Sequence, residues 1–229
     1  MLIRICLCLA LLVAGCGRPL TQSELAFATS LHGEELNVDK VRLVEGALVA
    51  AVTFHRKARP RTTCRERILP PVKEGIVTAK PAAMTLFNKV YFVRDWFSED
   101  FLSEYPELLN LTAAMLLGHE LTHVWQWQNR QKTGYSPLRA AAEHGYMKDP
   151  YLFELEGAPD FLQYGYEQQG AIVEEYICCR ALDPSAARTK RLHDMLRGAF
   201  PVTDLPQNRQ RERDVLLPWR GAELRGICS

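Results

Sequence analysis

The stretch from Leu116 to Trp125, Leu-Leu-Gly-His-Glu-Leu-Thr-His-Val-Trp, places His119 and His123 four positions apart inside an apolar run. Residues four apart lie on one face of an α-helix, one turn from each other. Both imidazoles can therefore reach a single metal ion, while Glu120 lies to one side of that face. This stretch predicts a buried helix that carries a metal site.

The histidines need a third protein ligand, because a zinc site with an open position for water takes three. In such a site Glu120 is predicted to act as the general base that takes a proton from metal-bound water. The position six after His123 is Asn129, which excludes the H-E-x-x-H-x-x-G-x-x-H ligand set. A carboxylate from a later helix is the remaining common choice. Position alone leaves three candidates open: Glu167, Glu174 and Glu175.

The first residues are typical of an export signal. A short basic start at Arg4 precedes an apolar stretch at 5–13 that is too short to span a membrane as a mature helix. Val-Ala-Gly before Cys16 resembles the lipobox of bacterial lipoproteins, in which that cysteine becomes the lipidated first residue. An ordinary signal peptide or a short membrane anchor are the alternatives. Since Gly17 rather than Asp follows, the resemblance favours an outer-membrane lipoprotein that faces the periplasm.

Charge and composition predict one globular domain and exclude one class of partner. The chain has 229 residues and is 47% hydrophobic, enough for a sizeable core. Only Arg4 among the charged residues lies in the predicted signal at 1–15, which leaves 27 basic and 27 acidic residues. A neutral chain argues against a nucleic-acid partner. We expect a signal peptide at 1–15, a tether at 16–24 and a single domain at 25–229.

Cysteine usage agrees with export. Four cysteines lie in the mature domain: Cys64, Cys178, Cys179 and Cys228. An even number in an oxidising compartment predicts two disulfides. Adjacent cysteines on a helix diverge by about 100°, so Cys178 and Cys179 are expected to take different partners. Spacing leaves open which of them pairs with Cys64 and which with Cys228.

Periodicity predicts an α+β fold that is mainly helical, with a small sheet before the metal-binding helix. The expected strands lie within 38–54, where the alanines leave a helix as the alternative, and at 83–87 and 89–93. The segment 55–72 is expected to be mostly loop. The expected helices lie near 21–32, 108–131, 136–144, 166–182 and 185–196, with an irregular tail after them.

Two segments carry a resemblance to a known family. H-E-L-T-H-V-W-Q at 119–126 and Y-G-Y-E-Q-Q-G-A-I-V-E-E-Y at 164–176 resemble a group of bacterial zinc peptidases with the gluzincin-like arrangement. In that arrangement a downstream E-x-x-[AG]-[DE] supplies the third ligand, which implies Glu167 here. The resemblance also implies a zincin-like fold, Zn²⁺ as cofactor, a protein or peptide substrate, and a zinc-dependent metallohydrolase, specifically a peptidase, tethered to the membrane at Cys16.

One departure from the family pattern supports an alternative function. Ala171 occupies the position at which related helices often carry an acid that holds a ligand histidine through its other ring nitrogen. Glu174 or Asp160 would have to substitute for that acid. The alternative is a non-catalytic envelope lipoprotein whose zinc site is structural or vestigial and which binds a partner.

Overall fold

The computed structural model describes residues 17–47, 49–56, 61–146, 149–155, 160–205 and 214–229. Cys16 and the predicted signal lie outside the described residues, so lipidation of Cys16 stays a prediction. Part of the predicted tether is described, and it contacts the domain. The Arg18 backbone pairs with Leu43, and its guanidinium lies 2.7 Å from a carboxylate oxygen of the fully buried Glu24.

The described chain is a mixture of helices and short strands, as the α+β prediction requires. The helices are α1 (Gln22–His32), α2 (Cys64–Ile68), α3 (Leu111–Gln128), α4 (Arg130–Thr133), α5 (Pro137–Tyr146), α6 (Tyr166–Leu182) and α7 (Ala187–Arg197). The strands are β1 (Arg42–Glu45), β2 (Val52–Arg56), β3 (Gly75–Ala79), β4 (Ala83–Leu86), β5 (Lys89–Phe92), β6 (Leu108–Asn110) and β7 (Asp214–Leu216). Within the described ranges, none of the helices combines the length and apolar character needed to cross a membrane.

Helix α3 is the centre of the core. The Asn110 side chain caps its first turn by accepting a hydrogen bond from the Ala113 amide at 3.2 Å. Every residue from Leu117 to Gln126 is buried, so the two histidines and Glu120 lie in the interior. The helix interior contains no proline, and its one glycine is used for close packing rather than for a break.

A three-stranded sheet lies beside α3, in the order β1-β5-β4. Strand β5 pairs in parallel with β1 and antiparallel with β4. This sheet precedes α3 in sequence and places the edge strand β4 against it. Strands β2 and β3 form a separate antiparallel pair. The predicted small sheet before the histidine helix is therefore confirmed.

Helix α6 packs along α3 and is tied to the rest of the chain by both disulfides. Cys178 pairs with Cys64 on α2, and Cys179 pairs with Cys228 near the end of the chain. The two adjacent cysteines do take different partners, and the structure decides the connectivity that spacing left open. The bridges attach α2 and the C-terminal segment to neighbouring positions on α6, and the sulfur atoms of Cys64, Cys179 and Cys228 lie within 4.8 Å of one another.

The structure adds short elements in three segments where the sequence did not predict them. The segment 55–72, expected to be mostly loop, contains α2, because Thr63 and Glu66 form a capping box that starts a short helix. The residues just before α3 form a strand rather than the first turn of a longer helix. The tail supplies the strand that pairs with β6, which is β7, in parallel register.

The helix predicted at 166–182 is confirmed, since α6 has these bounds.

We predict that His32 makes the fold acid-sensitive. It is fully buried, and its Nε2 lies 3.3 Å from the Thr122 hydroxyl, which itself donates to the Gly118 carbonyl. Burial lowers the pKa of His32 from 6.5 to about 3. Between these values the unfolded chain binds the extra proton, so stability falls as the pH falls.

Urea denaturation at pH 7 and at pH 5 checks this. The contribution of His32 to the free energy of unfolding is expected to drop by about 2 kcal/mol between these pH values. The variant His32→Gln cannot take up this proton and is expected to lose about that much less stability over the same interval. Equal losses in the two proteins would contradict the prediction.

Candidate metal centre

Two imidazole nitrogens converge on one point beside α3. His119 and His123 lie one turn apart on the helix, and their Nε2 atoms are 3.1 Å from each other. Both side chains are almost completely buried, and their rings meet edge to face with centroids 4.8 Å apart. The helical spacing read from the sequence thus brings the two nitrogens to the same place.

Glu167, in the first turn of α6, joins them. Its Oε2 lies 3.2 Å from His119 Nε2 and 3.5 Å from His123 Nε2. Glu143 on α5 positions this turn, because its carboxylate accepts the amides of Tyr166 and Glu167 at 3.0 and 3.2 Å. The Glu143 carboxylate thus caps the start of α6, where Gly165 has no side chain to do so. Of the three candidate glutamates, Glu167 is the one in contact with both nitrogens.

The three donor atoms fit a metal ion. They lie within 4.8 Å of one another and form a triangle with edges of 3.1, 3.2 and 3.5 Å. Donors at about 2.0–2.1 Å from a tetrahedral zinc ion are separated by about 3.3 Å. An ion of that size can therefore be bound by His119, His123 and Glu167 with little rearrangement.

Each imidazole has a polar side chain close to its other nitrogen. His123 Nδ1 lies 2.8 Å from the side-chain carbonyl of Gln126, which fixes the proton there and leaves Nε2 free to bind a metal. The Gln126 amide donates to Gln169 at 3.0 Å and to the Tyr166 carbonyl at 3.1 Å, so the orienting group is itself held by α6. His119 Nδ1 lies 2.8 Å from Glu174 Oε1, in a contact that is short but poorly aligned for a hydrogen bond.

The carboxylates dominate the electrostatics of the site. Burial alone lowers the pKa of His119, but contacts with Glu167 and Glu174 outweigh it and raise the pKa well above its usual value. Burial likewise lowers the pKa of His123, and the charge of Glu167 reverses the direction. The site is thus built to hold positive charge, either as protons or as a metal ion.

A glycine allows α6 to approach the imidazole. A Cβ atom at Gly170 would lie 2.6–2.8 Å from three atoms of the His119 ring. Real Cβ contacts are essentially never that short. Gly170 is therefore required at this position for packing, since its backbone is ordinary helix.

Glu120 faces the sheet side of α3. The Thr85 hydroxyl on β4 donates to Glu120 Oε2 at 2.7 Å and lies 3.3 Å from the Glu120 carbonyl. Glu120 is buried, and its carboxylate accepts this hydrogen bond from Thr85. The short strand β4 positions it, a contact that helix periodicity does not reveal.

Sequence reasoning missed several residues that shape the site. Thr85, Gln126 and Glu143 are far from the ligands in sequence or look like ordinary polar residues. The contact of Gln126 with His123 could have been predicted, because residues three apart lie one turn from each other on a helix. Ala171 is buried, and the carboxylate beside His119 Nδ1 comes from Glu174 instead. Asp160, the other candidate substitute, is exposed and precedes a 3₁₀ turn at Phe161–Gln163.

Comparison with curated proteins finds the type VI secretion system spike protein VgrG2b of Pseudomonas aeruginosa. It is 24% identical over 189 residues, which cover 82% of this chain and 16% of that protein. The chain thus spans about one sixth of the length of this relative. No protein-family model matches the chain.

Comparison with solved structures finds the effector domain of Pseudomonas aeruginosa VgrG2b. The two share 23% sequence identity with a TM-score of 0.53, over 82% of this chain and 86% of that one. At this identity the likeness concerns the fold. The solved domain and the curated spike protein point to the same relative.

These comparisons correct the functional reading of the motif. Both matches are to VgrG2b, so the assignment to gluzincin-like zinc peptidases, with a zinc-activated water and Glu120 as general base, is wrong. The alternative of a non-catalytic envelope lipoprotein finds no support either. The physical reason is that H-E-x-x-H spacing decides which side chains share a helix face, whereas reaction and substrate depend on groups that the motif does not specify.

We predict that Gly170→Ala destabilises the protein by about 1–3 kcal/mol, because the added methyl group would overlap the His119 ring. Helix propensity alone would favour alanine by about 1 kcal/mol, so a loss isolates the packing effect. Gly198→Ala, at a helix end with ordinary right-handed backbone, is the control; its Cβ atom would lie 3.2 Å from the Met195 carbonyl oxygen, a milder contact, so a smaller loss is expected. Urea denaturation measures both, and a Gly170 variant as stable as the wild type would contradict the close approach.

Proposed function

We propose that this chain acts as an effector domain of the VgrG2b type whose working centre is a divalent metal ion, Zn²⁺, bound by His119, His123 and Glu167. The observation that carries the metal assignment is the triangle of their donor atoms, with edges of 3.1–3.5 Å. The likeness to a VgrG2b effector domain over 82% of this chain supports the effector assignment.

The chemistry of the donors supports zinc over a harder cation. Two imidazole nitrogens and one carboxylate are a common zinc ligand set, whereas magnesium and calcium prefer oxygen ligands. With three protein ligands, a bound zinc ion would remain accessible to a group from outside and would supply Lewis acidity toward that group. The chain's own part is to hold the three donors in place through Gln126 and Glu174.

Four further proposals concern the fold, the domain, the location and the partner. The fold is zincin-like in detail, since a buried helix with two histidines lies beside a small sheet and a later helix supplies a carboxylate. Residues 25–229 form one domain, and the chain works in the bacterial cell envelope. The two disulfides support that compartment, because such bonds persist in oxidising environments. Its proposed partner is a type VI secretion spike protein.

Metal analysis tests the centre. Protein purified with zinc is expected to carry about one equivalent, and Glu167→Ala is expected to carry much less, since two imidazoles alone bind zinc weakly. Glu34→Gln removes an exposed carboxylate elsewhere and serves as the control with full metal content. Full occupancy in the Glu167 variant would exclude Glu167 as a ligand, and an empty wild type would exclude the metal centre.

Growth of a bacterial host tests the effector assignment. Wild-type protein directed to the periplasm, where both disulfides can form, is expected to slow growth more than the same protein retained in the cytoplasm. Glu167→Ala at the same abundance is expected to lose most of this effect. If neither location affects growth, or if the variant is as harmful as the wild type, the proposal fails.

Binding to a spike protein tests the partner. VgrG2b lacking its own effector domain is expected to co-elute with this chain in size-exclusion chromatography. Separate elution at micromolar concentrations of both proteins would contradict a stable assembly.

A further inference from the structure

We propose that Glu174 is a positioning residue for the metal centre, and that Arg65 holds it through a short helix fixed by the Cys64–Cys178 disulfide. The proposal rests on the metal binding proposed above. It concerns residues that do not contact the metal themselves and that act through the ring of His119.

One helix holds the His119 ring at both ends. Glu167 and Glu174 are seven residues apart on α6, so they lie two turns apart on nearly the same face. Glu167 Oε2 lies 3.2 Å from Nε2 of the ring, and Glu174 Oε1 lies 2.8 Å from Nδ1. Gly170 lies between the two glutamates and provides the space for the ring. The imidazole is therefore clamped between two carboxylates of the same helix.

The second oxygen of Glu174 is also occupied. Arg65 Nη1 lies 3.0 Å from Glu174 Oε2, and the Glu174 side chain is 10% exposed. A nearly buried carboxylate with one oxygen on an imidazole and the other on a guanidinium has little freedom to rotate. Arg65 therefore fixes the direction in which Glu174 presents its other oxygen to His119.

Arg65 lies on α2, a short helix that a disulfide and a backbone hydrogen bond attach to α6. The Cys64–Cys178 disulfide links the helices covalently. The Cys64 amide donates to Glu175 Oε2 at 2.8 Å, and Arg188 donates to the other oxygen of Glu175 at 2.7 Å. Two neighbouring glutamates of α6 therefore contact α2. Glu175 accepts the hydrogen bond from its first residue, Cys64, and Glu174 pairs with its second residue, Arg65.

This arrangement predicts a measurable effect on metal affinity. A carboxylate on the outer nitrogen of a ligand histidine fixes the ring and its tautomer and makes the inner nitrogen a better donor, and loss of such a partner typically weakens metal binding 10–100-fold. Glu174 fulfils here the role that Ala171, at the expected position, cannot. The carboxylate reaches His119 from a position three residues further along the helix.

Zinc affinity of the purified protein, measured by competition with a chelator, tests the proposal. Glu174→Gln keeps the shape of the side chain but removes its charge, and it is expected to weaken zinc binding about 10–100-fold. The absorption spectrum of bound Co²⁺ is expected to change as well, since it reports ligand geometry. Thermal melting of the metal-free proteins establishes that the variant is folded.

A double-mutant cycle separates positioning from general stabilisation. Arg65→Met is expected to weaken zinc binding about three- to tenfold in the wild type and to have no further effect in Glu174→Gln, because it acts only through that carboxylate. Arg65→Lys is expected to restore part of the loss. Arg67→Met is the matched control, since Arg67 lies on the same helix but donates to the carbonyls of Arg225 and Gly226.

The disulfides provide a second matched pair. Replacing Cys64 and Cys178 together with serine is expected to weaken zinc binding by about as much as Arg65→Met. Replacing Cys179 and Cys228 removes the neighbouring bridge, which holds α2 only indirectly, through the contacts of Arg67 with Arg225 and Gly226, and is expected to weaken zinc binding clearly less. Equal effects of the two double replacements would overturn the role given to α2.

The outcomes distinguish this proposal from the one on which it rests. If the wild type binds no zinc, both fail. If the wild type binds zinc and Glu167→Ala does not, while Glu174→Gln binds as tightly as the wild type, the metal centre stands and the role of Glu174 is overturned. Additive effects of the Glu174 and Arg65 replacements would overturn the link between them.

Discussion

The close approach of α3 and α6 is the constraint on which the rest of the structure depends. A Cβ atom at Gly118 would lie 2.3 Å from Ile177, and one at Gly170 would lie 2.6 Å from the His119 ring. Small residues on each helix therefore let the backbones meet where the histidines are. Only at this separation can side chains of α6 reach both nitrogens of His119.

The polar groups buried between the helices follow from that contact. A buried carboxylate or imidazole is costly unless it is paired, and here the pairs connect one helix to the other. Gln126 holds His123 and is held by Gln169, while Glu167 contacts both histidines. The disulfides add covalent links on the far part of α6, so the helix that supplies the carboxylates is attached along its length.

The H-E-x-x-H motif predicted the position of the histidines but not the function of the protein. H-E-x-x-H spacing places two nitrogens on one face, and in this fold a glutamate completes a group that can hold a metal. One fold can carry different reactions and partners, because these depend on the site built on it. The functional proposal therefore rests on the likeness to VgrG2b rather than on the motif.

The sequence by itself determined the elements whose signals are local. The bounds of α6, the burial of the His119–His123 face, the sheet before α3 and the divergence of Cys178 and Cys179 all follow from periodicities of 3.6 and 2 residues. Only the tertiary structure decided which glutamate meets both imidazoles, that Glu143 caps α6, and that β6 pairs with β7. These depend on how helices and strands distant in sequence approach each other, which packing of the whole core decides and no local pattern records.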